Sequence, residues 1–271
     1  MKIVHVTSVH TPLDRRIFWK QAISCKNANH EVHLIVASNQ QKSGLIDGVH
    51  IHVLKKIENR STRVFINGFR VFVKTLSIKA NVFHFHDPEL IPWFLLLKFS
   101  GRHVVMDVHE DYPAQIKGKK WLQPFFRQIL SYFIFLLENI ATKIFDGIVV
   151  ADSLLADSFK VKSTKTPIIV ANNYPLINQN ISKINITLEK YTSNRILFLG
   201  GINRARCSEE FVMALGDINN NEYEVLMGGN ENNNELLSRI RILKGWSQVK
   251  FLGTIPPGEV DSIMIKSSIS I

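Results

Sequence analysis

The sequence predicts an α/β protein of two Rossmann-like halves, each built on a parallel sheet, the second incomplete. Three observations lead there. Short apolar runs bounded by breakers alternate with longer helix-like stretches, the pattern of a parallel sheet with helices on both faces. Two of the runs, 82–86 and 103–108, end on titratable clusters, His86-Asp87-Pro88-Glu89 and His109-Glu110-Asp111-Tyr112-Pro113. The alternation breaks over 174–193 and then restarts, with Gly-containing turns after its strands.

The first run, 3–7, has no long apolar core followed by a small-residue cleavage site, so it reads as a buried strand and not a signal peptide. A helix at 15–26 follows, then strands at 31–37 and 49–54, whose continuous apolar character suits a buried parallel sheet. Helices at 62–78 and 90–99 bracket the strand at 82–86. A long helix at 123–145 follows the strand at 103–108. Strands at 147–151 and 167–171 enclose a helix at 153–160. Pro175, several Asn and scattered Lys without periodicity mark 174–193 as a linker. The domains are therefore expected at 1–173 and 194–271. In the second, strands at 195–199, 222–227 and 248–252 alternate with helices at 207–215, 231–243 and 257–266, and 267–271 opens another strand. Turns such as Gly200-Gly201 either let backbone approach a phosphate at a helix N-terminus or simply connect strand to helix.

The net charge of +10 is uneven: residues 1–185 hold 24 Lys+Arg against 13 Asp+Glu, and the remainder holds 9 against 10. A basic excess confined to one part implies an anionic partner there, whether a membrane surface, a phosphate-bearing ligand or nucleic acid. No nucleic-acid recognition motif accompanies the charge. A dinucleotide-dependent oxidoreductase is disfavoured because Ser8-Val9-His10-Thr11, not Gly-x-Gly-x-x-Gly, follows the first strand. Cys25 and Cys207 are far apart and form no metal-type spacing, which suits reduced thiols in a cytoplasmic protein.

Ligands of open α/β sheets sit beyond the carboxyl ends of strands, so the polar clusters at those ends are the first candidates for a site. The strings concerned are His5-Val-Thr-Ser8 with Asp14-Arg15-Arg16, His84-Phe-His-Asp-Pro-Glu-Leu-Ile-Pro92, Asp107-Val-His-Glu-Asp-Tyr-Pro113, Asp146-Gly-Ile-Val-Val-Ala151 and Asn172-Asn-Tyr-Pro175. Taken together they resemble family 4 glycosyltransferases, especially the bacterial branch that builds capsular polysaccharide, exopolysaccharide and lipopolysaccharide. The resemblance spans nearly the whole chain, and the paired His-Asp-Pro and His-Glu-Asp-Tyr-Pro strings are its most specific part.

That resemblance implies a GT-B-like fold, a nucleotide-sugar clamped between two domains, an acceptor on the N-terminal side, retention of anomeric configuration, and no metal or other cofactor. Without a metal, cationic side chains and helix N-termini must stabilise the departing diphosphate. His109 matches the histidine that approaches the donor sugar in relatives, or else is a core-edge residue satisfied by backbone. Arg206 occupies the family's basic position after the first strand of the second domain, with Gly200, Gly201 and Arg204 beside it. Cys207 stands where a Gly is usual, and the Arg common two residues after that strand is replaced by Gly201. The surface-exposed reading of Arg206 remains open, because surface charge is the default. Glu110 and Asp111 either orient His109, bind acceptor hydroxyls or cap the next helix. His86 and Asp87 lie at the neighbouring strand end, where Asp87 before Pro88 also fits an N-cap. Asp14, Arg15 and Arg16 line the acceptor side or, for the arginines, are ordinary surface charge.

The segment 117–138 joins a cationic start to aromatic and aliphatic residues, and its apolar run 132–137 is too short to span a bilayer. Burial is expected for 129–140 as a crossover helix. Contact with an anionic membrane is expected for 117–126, through Lys117, Lys119, Lys120, Trp121 and Phe125. This suits a peripheral protein at the inner face of the plasma membrane with a saccharide or lipid-linked saccharide acceptor. Family members usually continue for about another domain-scale stretch, which holds an acidic Glu-x7-Glu donor motif absent here. The second domain is therefore expected to be incomplete, and a non-catalytic or split-enzyme partner subunit is the alternative to an enzyme.

Overall fold

A computed structural model describes residues 1–39, 42–57, 59–119, 122–162, 165–174, 194–218, 222–230 and 234–271. The expected linker 174–193 lies outside them except for Tyr174, and so do Lys120 and Trp121. The chain divides into two compact units, Met1–Leu176 and Ile177–Ile271.

The first unit is built on an eight-stranded sheet. In chain order its strands are β1 (Lys2–Thr7), β2 (Glu31–Ala37), β3 (Gly44–Ile46), β4 (Val49–Leu54), β5 (Val82–Phe85), β6 (His103–Val108), β7 (Gly147–Val150) and β8 (Ile168–Val170). The spatial order is β3-β4-β2-β1-β5-β6-β7-β8, and every pairing is parallel except β3 with β4. β3 went unread in the sequence. It is a three-residue hairpin arm turning through Asp47 and Gly48, both at positive φ, and is too short to leave an apolar run. The order of winding reverses between β1 and β5, the place where such sheets hold ligands.

Period-two alternation divides the unit's interior. On one face Val4, Val6, Phe83, Phe85, Val104 and Met106 join a core beneath the helices Arg60–Leu76, Ile91–Phe99, Pro124–Ile144 and Ser153–Lys162. On the other, Leu34 and Val36 pack against Ile17, Phe18 and Ala22 of the helical segment after β1. His5 pairs in register with Leu34 and with His84, and His84 with Val105. Two residues further, His86 and Asp107 fall on that same face. The apolar face thus belongs to one set of helices and the polar one to the segment at Arg15–Asn27.

That segment opens as a π-helix, Arg15–Ala22, and continues as an α-helix, Ile23–Asn27. Asp14 caps it, accepting from the backbone N–H of Arg16 and Ile17. In an α-helix, residues five apart point about 140° away from each other, from 3.6 residues per turn. The wider π turn, which closes i to i+5, brings Arg16 and Gln21 to the same side.

The helix Pro124–Ile144 contradicts the expected burial of 129–140. Its covered residues are Ser131, Ile134, Glu138, Ala141 and Thr142, three of them polar. Ile129, Tyr132, Phe133, Leu136 and Ile140 face outward instead. Polar pairing decides the orientation: Glu138 is bridged by Lys162 at 2.7 Å, Ser131 Oγ donates to the Pro113 carbonyl, and the Thr142 hydroxyl donates to the Glu138 carbonyl while the Thr142 carbonyl accepts from Thr166 Oγ1. Burying the aromatic side would leave Glu138 and Lys162 without each other.

The second unit holds a four-stranded parallel sheet in the order β11-β10-β9-β12, made of β9 (Arg195–Leu199), β10 (Glu224–Gly228), β11 (Val249–Gly253) and β12 (Ile269–Ser270). Phe198, Ile202, Val212, Met227, Leu236 and Ile240 form its core.

Candidate active site

At the carboxyl ends of β1, β5 and β6, the carboxylate of one β6 residue gathers the side chains of four others. Asp107 is buried, and its Oδ2 accepts from Arg16 Nε at 3.0 Å, Gln21 Nε2 at 2.7 Å, His86 Nδ1 at 3.0 Å and His109 Nε2 at 2.9 Å. Its Oδ1 accepts from Arg16 Nη2 at 2.6 Å, completing a two-pronged ion pair. Burial alone would raise the carboxyl pKa. The hydrogen bonds from His109, His86 and Arg16 outweigh that and hold it well below the ordinary carboxylate range.

The ionised Asp107 only accepts, so the tautomers around it follow by inference from the bonding pattern. His109 places its N–H at Nε2, leaving the Nδ1 lone pair as an acceptor. His86 places its N–H at Nδ1, so its Nε2 accepts from His5 Nδ1 at 3.1 Å. Burial is the main cause that pushes His86 down to about 4 and His5 well below its ordinary value. His84 lies tilted beside them with its ring centroid 4.9 Å from that of His5, and burial takes its pKa to about 3. These three rings are neutral at physiological pH. Gln21 Oε1 and the Nε2 atoms of His5 and His84 are enclosed without a protein partner.

A second carboxylate braces the end of β1. Asp87 Oδ2 accepts from Thr7 Oγ1 at 2.7 Å, from the Ser8 N–H at 2.6 Å and from Ser8 Oγ at 3.2 Å. Asp87 occupies the N-cap position of the 3-10 turn Pro88–Leu90 but makes no side-chain cap bond there. Its role is to tie β5 to β1, which corrects the expected capping. His10 bridges Asp14 at 3.3 Å and Asp87 at 3.4 Å through its two ring nitrogens. Burial works against its charge, but the Asp14 hydrogen bond and the charges of Asp87, Asp14 and Glu89 prevail and raise its pKa. Two carboxylate partners make both ring nitrogens donors, as in imidazolium. Its centroid lies 5.1 Å from that of His109. His109 and His10 therefore form the partly exposed rim of a buried charged cluster.

The structure brings His109, His86, Asp87, Asp14 and Arg16 together. Arg16 is no surface charge: its guanidinium is buried and also donates to the Ala171 carbonyl at 2.6 Å. Arg15 is exposed and stays outside the cluster. Glu110 and Asp111 are exposed as well. Glu110 accepts from Gln115, and Asp111 caps the helix Tyr112–Lys117 through the Ala114 N–H. Asp107, His10, His5 and Gln21 were assigned no role from sequence. An acid inside an otherwise apolar strand is itself a signal, because a buried charge needs partners.

In the second unit, Gly200 follows β9 at φ 154°. The Arg206 guanidinium rests over it, so close that a Cβ on Gly200 would meet Arg206 Nη1 at 2.6 Å. Gly229 touches the Gly200 carbonyl, where a Cβ would stand 1.8 Å from the oxygen. These glycines let the turns after β9 and β10 pack against each other. Asn203 caps the short turn Arg204–Arg206, and Cys207 adopts the left-handed conformation ahead of the helix Ser208–Ile218. Arg204 and Arg206 are both exposed. Lys117 and Phe125 are exposed and Lys119 is half-buried.

Among the described residues, His5, His84 and His86 form one group whose ligand atoms come within 4.8 Å of one another, and His86, Asp107 and His109 form another. In the second group Asp107 is already held by Arg16 and Gln21. In the first, His86 Nε2 is held by His5.

No family model and no curated protein matches this chain. Solved structures do. Sucrose-phosphate synthase from Thermosynechococcus elongatus superposes with a TM-score of 0.70 at 12% identity, over 99% of this chain and 74% of that one. Anabaena HepE, solved with UDP and glucose, gives 0.63 at 10% identity over 100% and 73%. A glycosyltransferase from Rickettsia africae gives 0.61 at 13% identity over 99% and 71%. The neighbours are GT-B glycosyltransferases, and the fold of this chain is GT-B-like.

Proposed function

We propose that this protein is a glycosyltransferase that moves a hexose from a nucleotide-sugar to a saccharide or lipid-linked saccharide. The observation that carries the reading is the cluster around Asp107 at the strand ends of a GT-B-like fold. Neighbours of that fold were solved with UDP-glucose or UDP, which makes UDP-glucose the first probe. In the reaction the bond from the anomeric carbon to the diphosphate oxygen breaks. A bond from that carbon to an acceptor hydroxyl oxygen forms. The electron pair of the broken bond leaves on the diphosphate oxygen, which takes up the hydroxyl proton. His109 is suited to the sugar: Asp107 fixes its ring, and the Nδ1 lone pair accepts from a sugar hydroxyl. Arg206, with Arg204 and the Gly200-Gly201 turn, is suited to the diphosphate. Transfer retains configuration and needs no metal, on the family resemblance of the motifs. The protein then acts as a peripheral enzyme at the cytoplasmic face of a membrane, in capsule or lipopolysaccharide synthesis.

The test is UDP release from UDP-glucose and UDP binding by calorimetry, with His109→Ala and Arg206→Ala. Each is expected to lower turnover about 100-fold. Arg206→Ala should also weaken UDP binding, while His109→Ala should leave it intact. Turnover unchanged in both variants would sink the assignment of these residues. Binding without turnover of any donor would favour the partner-subunit alternative.

A further inference from the structure

Three histidines of the first unit stand together and take no part in the Asp107 cluster. His33 lies on β2, and His50 and His52 lie on β4. The two strands run side by side in parallel, with His33 in register with His50. Period-two alternation puts His50 and His52 on one face of β4, and the register puts His33 on that face too. His33 is also in register with Val4, whose side chain joins the core on the face opposite His5. The three rings and the Asp107 cluster are therefore on opposite faces of the sheet. The rings stack: the His33 centroid is 4.8 Å from that of His50, at 18°, and 5.2 Å from that of His52, at 8°. His50 is exposed and the other two are half-buried.

Hydrogen bonds set the state of these rings. His33 Nε2 is 3.0 Å from Glu31 Oε1, and His33 Nδ1 is 2.9 Å from His52 Nε2. Lys2 Nζ lies 2.7 Å from the same Glu31 oxygen, and the hydrogen bonds from Lys2 and His33 hold Glu31 down to about 2. An ionised Glu31 only accepts, so His33 carries its proton at Nε2 and turns the Nδ1 lone pair toward His52. A carboxylate behind the ring and a lone pair in front is the arrangement that orients metal-ligating histidines. Burial is the main cause that takes His52 to about 4, helped by the charge of Lys74, so its ring is neutral at physiological pH. A neutral His52 can pass its proton from Nε2 to Nδ1 through solvent without a change of charge. Two lone pairs then face each other. Zinc–nitrogen bonds of about 2.0–2.1 Å at a tetrahedral angle need nitrogens about 3.3 Å apart, a small opening from the separation already present. His50, exposed beside His33, is within side-chain reach as a third ligand, and water completes the four. Imidazoles suit zinc, nickel or copper ions, whereas calcium and magnesium take oxygen ligands.

We infer that His33, His50 and His52 form a site for a divalent transition-metal ion of the zinc class, which staples β2 to β4 while Glu31 orients His33 from behind. The site goes beyond the proposed sugar transfer and uses none of its residues. Outside β4 the sheet has only the three-residue β3. A bond across β2 and β4 thus ties down the margin of the sheet with the least pairing, and its effect is on stability.

The test is calorimetric titration of zinc ion into the untagged full chain, freed of metal with a chelator, together with urea midpoints with and without zinc. The wild type is expected to take up one zinc ion through this site and to show a higher midpoint when zinc is present, because the ion binds only the folded state. His52→Gln is expected to lose that uptake and the zinc-dependent rise, with a metal-free midpoint like that of the wild type. His50→Gln should weaken binding, and Glu31→Ala should weaken it about tenfold by releasing His33. A wild type that takes up no zinc, nickel or copper ion would overturn the site. Uptake that survives both His52→Gln and His33→Gln would overturn it too, by placing the ion elsewhere. Unchanged affinity in Glu31→Ala would overturn the orienting part played by the carboxylate. UDP release from UDP-glucose should be the same in His52→Gln as in the wild type, with or without zinc. A release that needs zinc and is lost in that variant would overturn the separation of this site from transfer.

Discussion

Asp107 is a charged residue in a strand that is otherwise apolar, and the partners it collects explain why it is tolerated there. Arg16 neutralises it, Gln21 and His86 saturate it, and His109 is positioned by what remains. Asp107→Asn would leave the Arg16 guanidinium buried without its counter-charge, a loss of about 3–5 kcal/mol, readable as a lower urea midpoint. It would also release the tautomer of His109, so turnover should fall, though through this contact no further than His109→Gln makes it fall. Wild-type turnover of the folded Asp107→Asn variant would mean that Asp107 serves stability only. Cys207 makes the opposite case. Its φ of 50° costs an L-residue about 1 kcal/mol, so Cys207→Gly should be neutral or slightly stabilising. A midpoint lowered by about 1 kcal/mol, the usual cost of introducing glycine, would contradict that. The strand-end polar strings were legible because titratable residues interrupt apolar runs. The part played by Arg16 was not, since its partner lies 91 positions away and nothing local separates it from the exposed Arg15.

At the scale of elements, strand positions were read closely because continuous apolar runs leave few alternatives. β2 and β4 begin and end where expected. The π geometry of Arg15–Ala22 was illegible, since the same spacing of apolar residues fits an α-helix. It is enforced by what Arg16 and Gln21 must both reach. The helix Pro124–Ile144 was misread for the converse reason: its aromatic content implied burial, whereas the buried Glu138–Lys162 pair sets its rotation. Lys162→Met tests this. Stranding Glu138 should cost about 3–5 kcal/mol, and the double variant Glu138→Leu with Lys162→Met should recover most of it. A single variant as stable as the wild type would remove the pair as the cause of the inverted face.

For the whole molecule, the buried histidines set the response to pH. In the unfolded chain they titrate near 6.5. In the folded chain His86 does so at about 4 and His84 at about 3. Between those values the unfolded state binds more protons, so stability is full above about 6.5 and falls as the solution is acidified. The slope is about 1.4 kcal/mol per pH unit for each such histidine. Asp107, held low, adds to the loss below about 4. His10 has the opposite sign: its raised pKa contributes below 6.5 and is lost as pH rises through its folded value. Urea midpoints should therefore drop steadily from pH 6.5 to pH 5, and a flat profile there would contradict neutral buried rings. The central claim, that the Asp107 cluster serves sugar transfer, is tested most directly by nucleoside diphosphate release from UDP-, ADP- and GDP-linked hexoses, with membrane lipid as acceptor. The account predicts turnover of one donor that falls about 100-fold in His109→Ala. Turnover that survives that substitution intact would contradict it.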